Sequence, residues 1–120
     1  MVIGEEIVKM VVDHYAHACE KHPYFADFLL DENRMVLGRP CEKVNRRHLA
    51  AVQKEWLRKD AMNRNVTPEK VLLCEVAEVN DAVSIEDYKQ AEYEIFDCIA
   101  VLLRWLEMIR DARKGEAAHD

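Results

Sequence analysis

Two pairs of carboxylates spaced three residues apart, Glu75 with Glu78 and Glu94 with Asp97, are the residues of this chain best suited to chemistry. On a helix, positions three apart share a face, so each pair would present two hard oxygen donors side by side. The count of such pairs decides nothing by itself. With 23 acidic residues, roughly four pairs at this spacing arise if acids are scattered at random, the ordinary risk of any short motif.

Their surroundings are more telling. On a helical wheel, Val71 and Ala82 fall between Glu75 and Glu78, with Val79 and Leu72 beside Glu75. Val101 and Met108 fall between Glu94 and Asp97, with Trp105 and Cys98 alongside. The four acids therefore lie within apolar stripes, while Glu69, Asn80, Glu92 and Arg110 lie opposite them. Two helices joined by a short turn pack antiparallel, which gathers the acids into one interior cluster. Buried carboxylates without compensation would protonate. Hard divalent cations resolve the conflict, and Mg²⁺ (or Mn²⁺) keeps open positions for waters and phosphate oxygens. The plainer alternative is that Lys or Arg side chains from other helices pair with the acids, which needs several buried cations. A di-iron bundle normally uses Glu-x-x-His pairs, and neither helix carries a His.

The elements that must position this cluster are helices. Half of the 120 residues are hydrophobic and a third charged, with 3 Gly and 3 Pro. That predicts a single all-α domain over residues 1–115 with a frayed tail at 116–120. Helical spacing predicts a first helix from about Gly4 to Glu20, ended by Pro23, with Ile7, Val8, Val11, Val12, Tyr15, Ala18 and Cys19 on its apolar face. In the segment 23–41, Phe25, Phe28, Leu29 and Leu30 could form a short capping helix before Gly38 and Pro40 break the chain. A second helix is expected over about Glu42–Met62. A third starts with Thr67 as N-cap and Pro68 in its first turn. Ser84-Ile85-Glu86-Asp87 resembles a capping box for a fourth helix running to about Arg113, with Gly115 as its stop. The expected architecture is a four-helix bundle. The fourth helix, at roughly 42 Å, outreaches a compact globule of this length, and its apolar surface from Ile95 to Ile109 is broad. Both features predict a homodimer or homotetramer.

These residues resemble the signature of the all-α nucleoside triphosphate pyrophosphohydrolases, the MazG-like superfamily. The family pattern is Glu-x-x-Glu, a spacer, then Glu-x-x-Asp. Here it reads Glu75-Val76-Ala77-Glu78 and Glu94-Ile95-Phe96-Asp97, with 15 residues between. The resemblance covers roughly residues 67 to 110. Many members carry a further Glu before each motif, where this chain has Cys74 and Tyr93. The resemblance implies Mg²⁺-dependent hydrolysis of a (deoxy)nucleoside triphosphate to the monophosphate and pyrophosphate, in the cleaning of nucleotide pools. It implies Glu75, Glu78, Glu94 and Asp97 as metal ligands. Glu75 or Glu78 is the candidate base for a water that attacks phosphorus in line.

Other residues invite two readings each. Arg47, Lys54 and Arg58 share a stripe on the second helix and could contact the triphosphate, or simply form a solvated face. Arg104, two turns after Asp97, could bind phosphate or neutralise the acids. Trp56 and Trp105 could stack on a base, though Trp at helical spacing is more often core. His48 could read a base. His14 and His17 lack a third ligand in the sequence and read as ordinary histidines.

The net charge of −6 and pI near 5.4 argue against polymeric nucleic acid as partner. Four separated cysteines without a close pair predict neither a disulfide scaffold nor a zinc cluster. Apolar runs are too short for a bilayer, and Glu5 and Glu6 stand where a signal peptide would be basic. The cytoplasm is the expected compartment. A rival function shares the same acids: a non-catalytic helical homo-oligomer that binds a metal–nucleotide complex or a partner protein.

Overall fold

The computed structural model describes residues 4–29, 35–36, 39–40 and 49–119. Within them the chain is an all-α helical bundle with one minimal β pair. The order is α1 (Glu5–Lys21), β1 (Met35–Val36), β2 (Arg39–Pro40), α2 (Leu49–Met62), α3 (Pro68–Ser84) and α4 (Tyr88–His119). β1 and β2 pair antiparallel, with Met35 opposite Pro40. No described helix is long and apolar enough to cross a membrane.

Local chemistry accounts for the element ends. Thr67 is the N-cap of α3: its hydroxyl accepts from the Lys70 N–H at 3.2 Å, and Pro68 occupies the first turn. The α2–α3 turn closes with the Asn65 N–H donating to the Asp60 carbonyl at 2.8 Å. It requires a positive φ of 52° at Arg64, a conformation uncommon outside Gly and Asn.

Two expected ends are corrected. Ser84 does not open the fourth helix. It closes α3, its hydroxyl donating to the Asp81 carbonyl at 2.7 Å. Asp87 takes the capping role, its carboxylate accepting from the Gln90 N–H at 3.1 Å. Gly115 does not stop α4, which continues to His119. Nothing lies within 4 Å of a Cβ at Gly115 and its φ is not left-handed. Its cost of about 1 kcal/mol relative to Ala is carried by the good helix formers around it.

α4 packs along α3, and α2 packs against α3 as well. The contacts are built from small side chains: Cys74, Ala77, Ala82, Ala91 and Cys98 are buried. Small residues let the α3 and α4 backbones approach closely, so side chains beside the seam lie near one another. Ala50 of α2 packs on Ala77, with Val52 and Trp56 against them. The Ala50 N–H donates to Asp81 Oδ2 at 2.9 Å, tying the start of α2 to α3.

α1 buries only Ile7. Its other apolar residues, among them Val8, Val11, Val12 and Tyr15, are exposed. The capping helix considered for the aromatic segment is absent from its described residues, and Leu30 lies outside them. Residues 23–29 are non-helical, and Phe25 and Phe28 are 94% and 84% exposed. α4 has 32 residues, hence a length of about 48 Å. It sets the 50 Å long dimension of the molecule and a radius of gyration of 16.8 Å, above the roughly 14 Å of a compact chain of this length.

Gln53 is a buried polar exception. It is 1% exposed, and among the described residues neither its amide oxygen nor its nitrogen has a hydrogen-bond partner. An unmet buried polar group costs about 1–3 kcal/mol. Gln53→Met keeps the length of the side chain and removes the amide. It is expected to raise the melting temperature by several degrees, taking about 4–8 °C per kcal/mol for a domain of about this size. Thermal unfolding followed by circular dichroism checks this, and a fall in melting temperature would contradict it.

Candidate metal centre

The small-residue seam of α3 and α4 brings the four acids together. Glu75, Glu78, Glu94 and Asp97 each offer a carboxylate oxygen, and these oxygens all lie within 4.8 Å of one another. All four side chains are half-buried, so the cluster opens toward solvent and is not the enclosed interior site expected from the wheel alone. Two oxygens, Glu75 Oε2 and Glu94 Oε2, are buried without a hydrogen-bond partner among the described residues.

The electrostatics follow from that crowding. Glu75 is pushed up to about 7, first by burial, then by its hydrogen bond with Glu78 and the charges of Glu78, Asp97 and Glu94. Glu94 is raised by its hydrogen bond with Glu78 and by burial. In Glu78 burial pushes upward too, but hydrogen bonds with Glu94, Lys54 and Glu75 outweigh it, and the carboxyl lies below its ordinary value. The cluster thus holds a proton near neutrality as a unit. Its neighbours Cys74 and Cys98 are free thiols. Burial and the adjacent carboxylates raise both, Cys74 to about 11, so they stay protonated and offer no thiolate. The available donors are hard oxygens, and the two orphaned ones are what a cation would satisfy. The residues fit Mg²⁺, which prefers such ligands.

Lys54 is the cation α2 brings here. Its Nζ lies 2.5 Å from Glu78 Oε1, and that hydrogen bond raises the Lys54 pKa. The pairing reading of the acids therefore holds for Glu78. The lysine side chain is 61% exposed, so it caps the cluster from the solvent side.

The expected basic wall does not extend to Arg58. Its guanidinium is turned along its own helix to Glu55, with Nη2 to Oε1 at 2.7 Å and Nε to Oε2 at 3.2 Å. An acid three residues away on the same face is its nearest partner. Arg47 and His48 lie outside the described residues. Trp56 belongs to the Ala50–Ala77 core. Trp105 and Arg104 lie together on a cleft beyond the acids, Trp105 half-buried and Arg104 exposed.

No family model matches this chain, and neither does any curated protein or solved structure. The site therefore rests on its own geometry. One contributor was not singled out from sequence. Gln90 Nε2 donates to Glu94 Oε1 at 2.6 Å and orients that carboxylate. Its signal was a Gln one turn before an acid, a pair that meets on a helix surface.

Proposed function

We propose that this protein is a Mg²⁺-dependent nucleoside triphosphate pyrophosphohydrolase, releasing pyrophosphate from (d)NTPs to leave (d)NMPs and clearing unwanted nucleotides. The observation that carries the reading is the convergence of Glu75, Glu78, Glu94 and Asp97 within 4.8 Å, in the order and spacing of the MazG-like pattern. Bound among them, Mg²⁺ would neutralise phosphate oxygens and the charge that develops during phosphoryl transfer.

The protein's own residues divide the remaining work. Glu75 is the better candidate base. Its Oε2 has no partner among the described residues. Glu78 is committed to Lys54. Lys54, exposed at the rim and paired with Glu78, sets a positive charge beside the acids for a triphosphate oxygen. Gln90 fixes the orientation of Glu94.

Assembly as a homodimer or homotetramer belongs to the same reading. Tyr93, Phe96, Leu102, Met108 and Ile109 are exposed along α4, apolar side chains that a second copy of the chain would cover.

The test is a panel of canonical and damaged nucleotides with pyrophosphate detection, with and without Mg²⁺. Release that requires Mg²⁺ is expected for at least one member. Purified protein that releases none from the whole panel contradicts the proposal.

A further inference from the structure

A cleft of about 200 Å³ opens between α3 and α4. Val71 and Val101 form part of its lining. Val71 is one turn before Glu75, and Val101 is one turn after Asp97. Because the two helices run antiparallel, both steps lead the same way, about 6 Å from the acid layer. Trp105 and Met108 extend the lining a further turn or two, with Arg104 and Thr67 as its polar members. The acids thus stand in one layer along the helix pair, with an aromatic, largely apolar cleft in the next.

We propose that this cleft is the nucleobase subsite, with the base against Trp105 and Arg104 donating hydrogen bonds to its carbonyl oxygens. The inference rests on the triphosphate reading of the acid cluster. Several observations carry it. The volume falls short of the roughly 300–1,000 Å³ that drug-sized ligands occupy, and suits a single ring system. Trp105 is half-buried on the cleft, the placement of a stacking platform. Arg104 offers donors only. The Thr67 hydroxyl already accepts from Lys70, leaving its own proton to donate. The fork of Arg104 donors matches the adjacent O6 and N7 acceptors of guanine and the keto oxygens of uracil and thymine, whereas adenine sets its N6 donor beside N7.

The test compares KM and kcat of the full-length protein with Mg²⁺ for dUTP, dGTP, dATP and tripolyphosphate, which has no base. KM is expected to be at least fivefold lower for dUTP and dGTP than for dATP. Trp105→Ala should raise the first two by about tenfold, within the range that base–aromatic stacking carries, and leave tripolyphosphate within twofold. Trp105→Phe should restore most of the loss. Arg104→Met, at an exposed position that folding tolerates, should shrink the keto preference even if Trp105→Ala misfolds. Equal KM values for all bases, or variants that change KM less than twofold, overturn the subsite. Calorimetric titration with dUMP separates this from failure of the hydrolysis reading. Saturable binding weakened by Arg104→Met, in a protein that hydrolyses nothing, sustains the cleft and removes the enzyme; absence of dUMP binding there overturns both.

Discussion

Glu75→Gln is expected to abolish Mg²⁺-dependent pyrophosphate release and, at the same time, to stabilise the metal-free protein at pH 8. The loss in kcat should be about 10²–10³-fold, the scale seen when one preorganised charge-stabilising group is removed. The gain in stability follows from the crowding of the site. Glu75 titrates near 7 because burial and three neighbouring carboxylates oppose its charge, and the neutral amide of the same shape removes that penalty. Activity assays and thermal melts on the same preparation check both halves. A residue with a merely structural part in the fold would lose activity and stability together, and that outcome would sink the assignment. At pH 4, where Glu75 is protonated in the folded and mostly so in the unfolded chain, the two proteins should melt within a few degrees of each other.

The metal-free wild type should lose stability as pH rises from about 5 to above 7, and Mg²⁺ should restore it. In the unfolded chain Glu75 releases its proton near its ordinary 4.5, whereas the folded protein holds it to about 7. Between those values the folded state binds more protons, so its stability declines as pH increases and levels off above the folded pKa. Glu94, also raised, acts in the same direction. Glu78 is lowered and acts oppositely, offsetting part of the decline. Mg²⁺ competes with the shared proton, so its benefit belongs to the alkaline side. At a concentration one hundred times its dissociation constant it should add about 2.7 kcal/mol at pH 8, and much less at pH 5.5. Melting curves at the two pH values, with EDTA or with Mg²⁺, measure this. Equal Mg²⁺ shifts at both would contradict it.

Much of this site was legible because it depends on local rules. Thr67 and Pro68 mark a helix start by hydrogen-bond chemistry alone, and the structure has both in those roles. The acids were recognisable from their place within apolar stripes, since helices with facing stripes must bring them together. What could not be read depends on competition between neighbours. Ser84 and Asp87 both suit a cap, and only the path of the chain, with Glu86 at a φ of 58°, gives the role to Asp87. Lys54 and Arg58 lie on one stripe, yet Arg58 has an acid three residues away and Lys54 reaches across to α3. The enclosure of Gln53 is not visible in the sequence, because it depends on how closely α2 approaches α3 through Ala50 and Ala77. The stripe of α1 was equally clear in the sequence, but periodicity shows that a face is apolar without naming what covers it.

The central claim is that these four carboxylates form one divalent-cation site, and calorimetric titration with Mg²⁺ and Mn²⁺ at pH 8 tests it most directly. Wild-type protein should bind either ion saturably and release protons on doing so, measured as a heat that changes with the ionisation enthalpy of the buffer. Glu75→Gln and Asp97→Asn, each still folded, should weaken binding at least tenfold. Unchanged affinity in both variants, or no saturable binding by the wild type, would contradict the site.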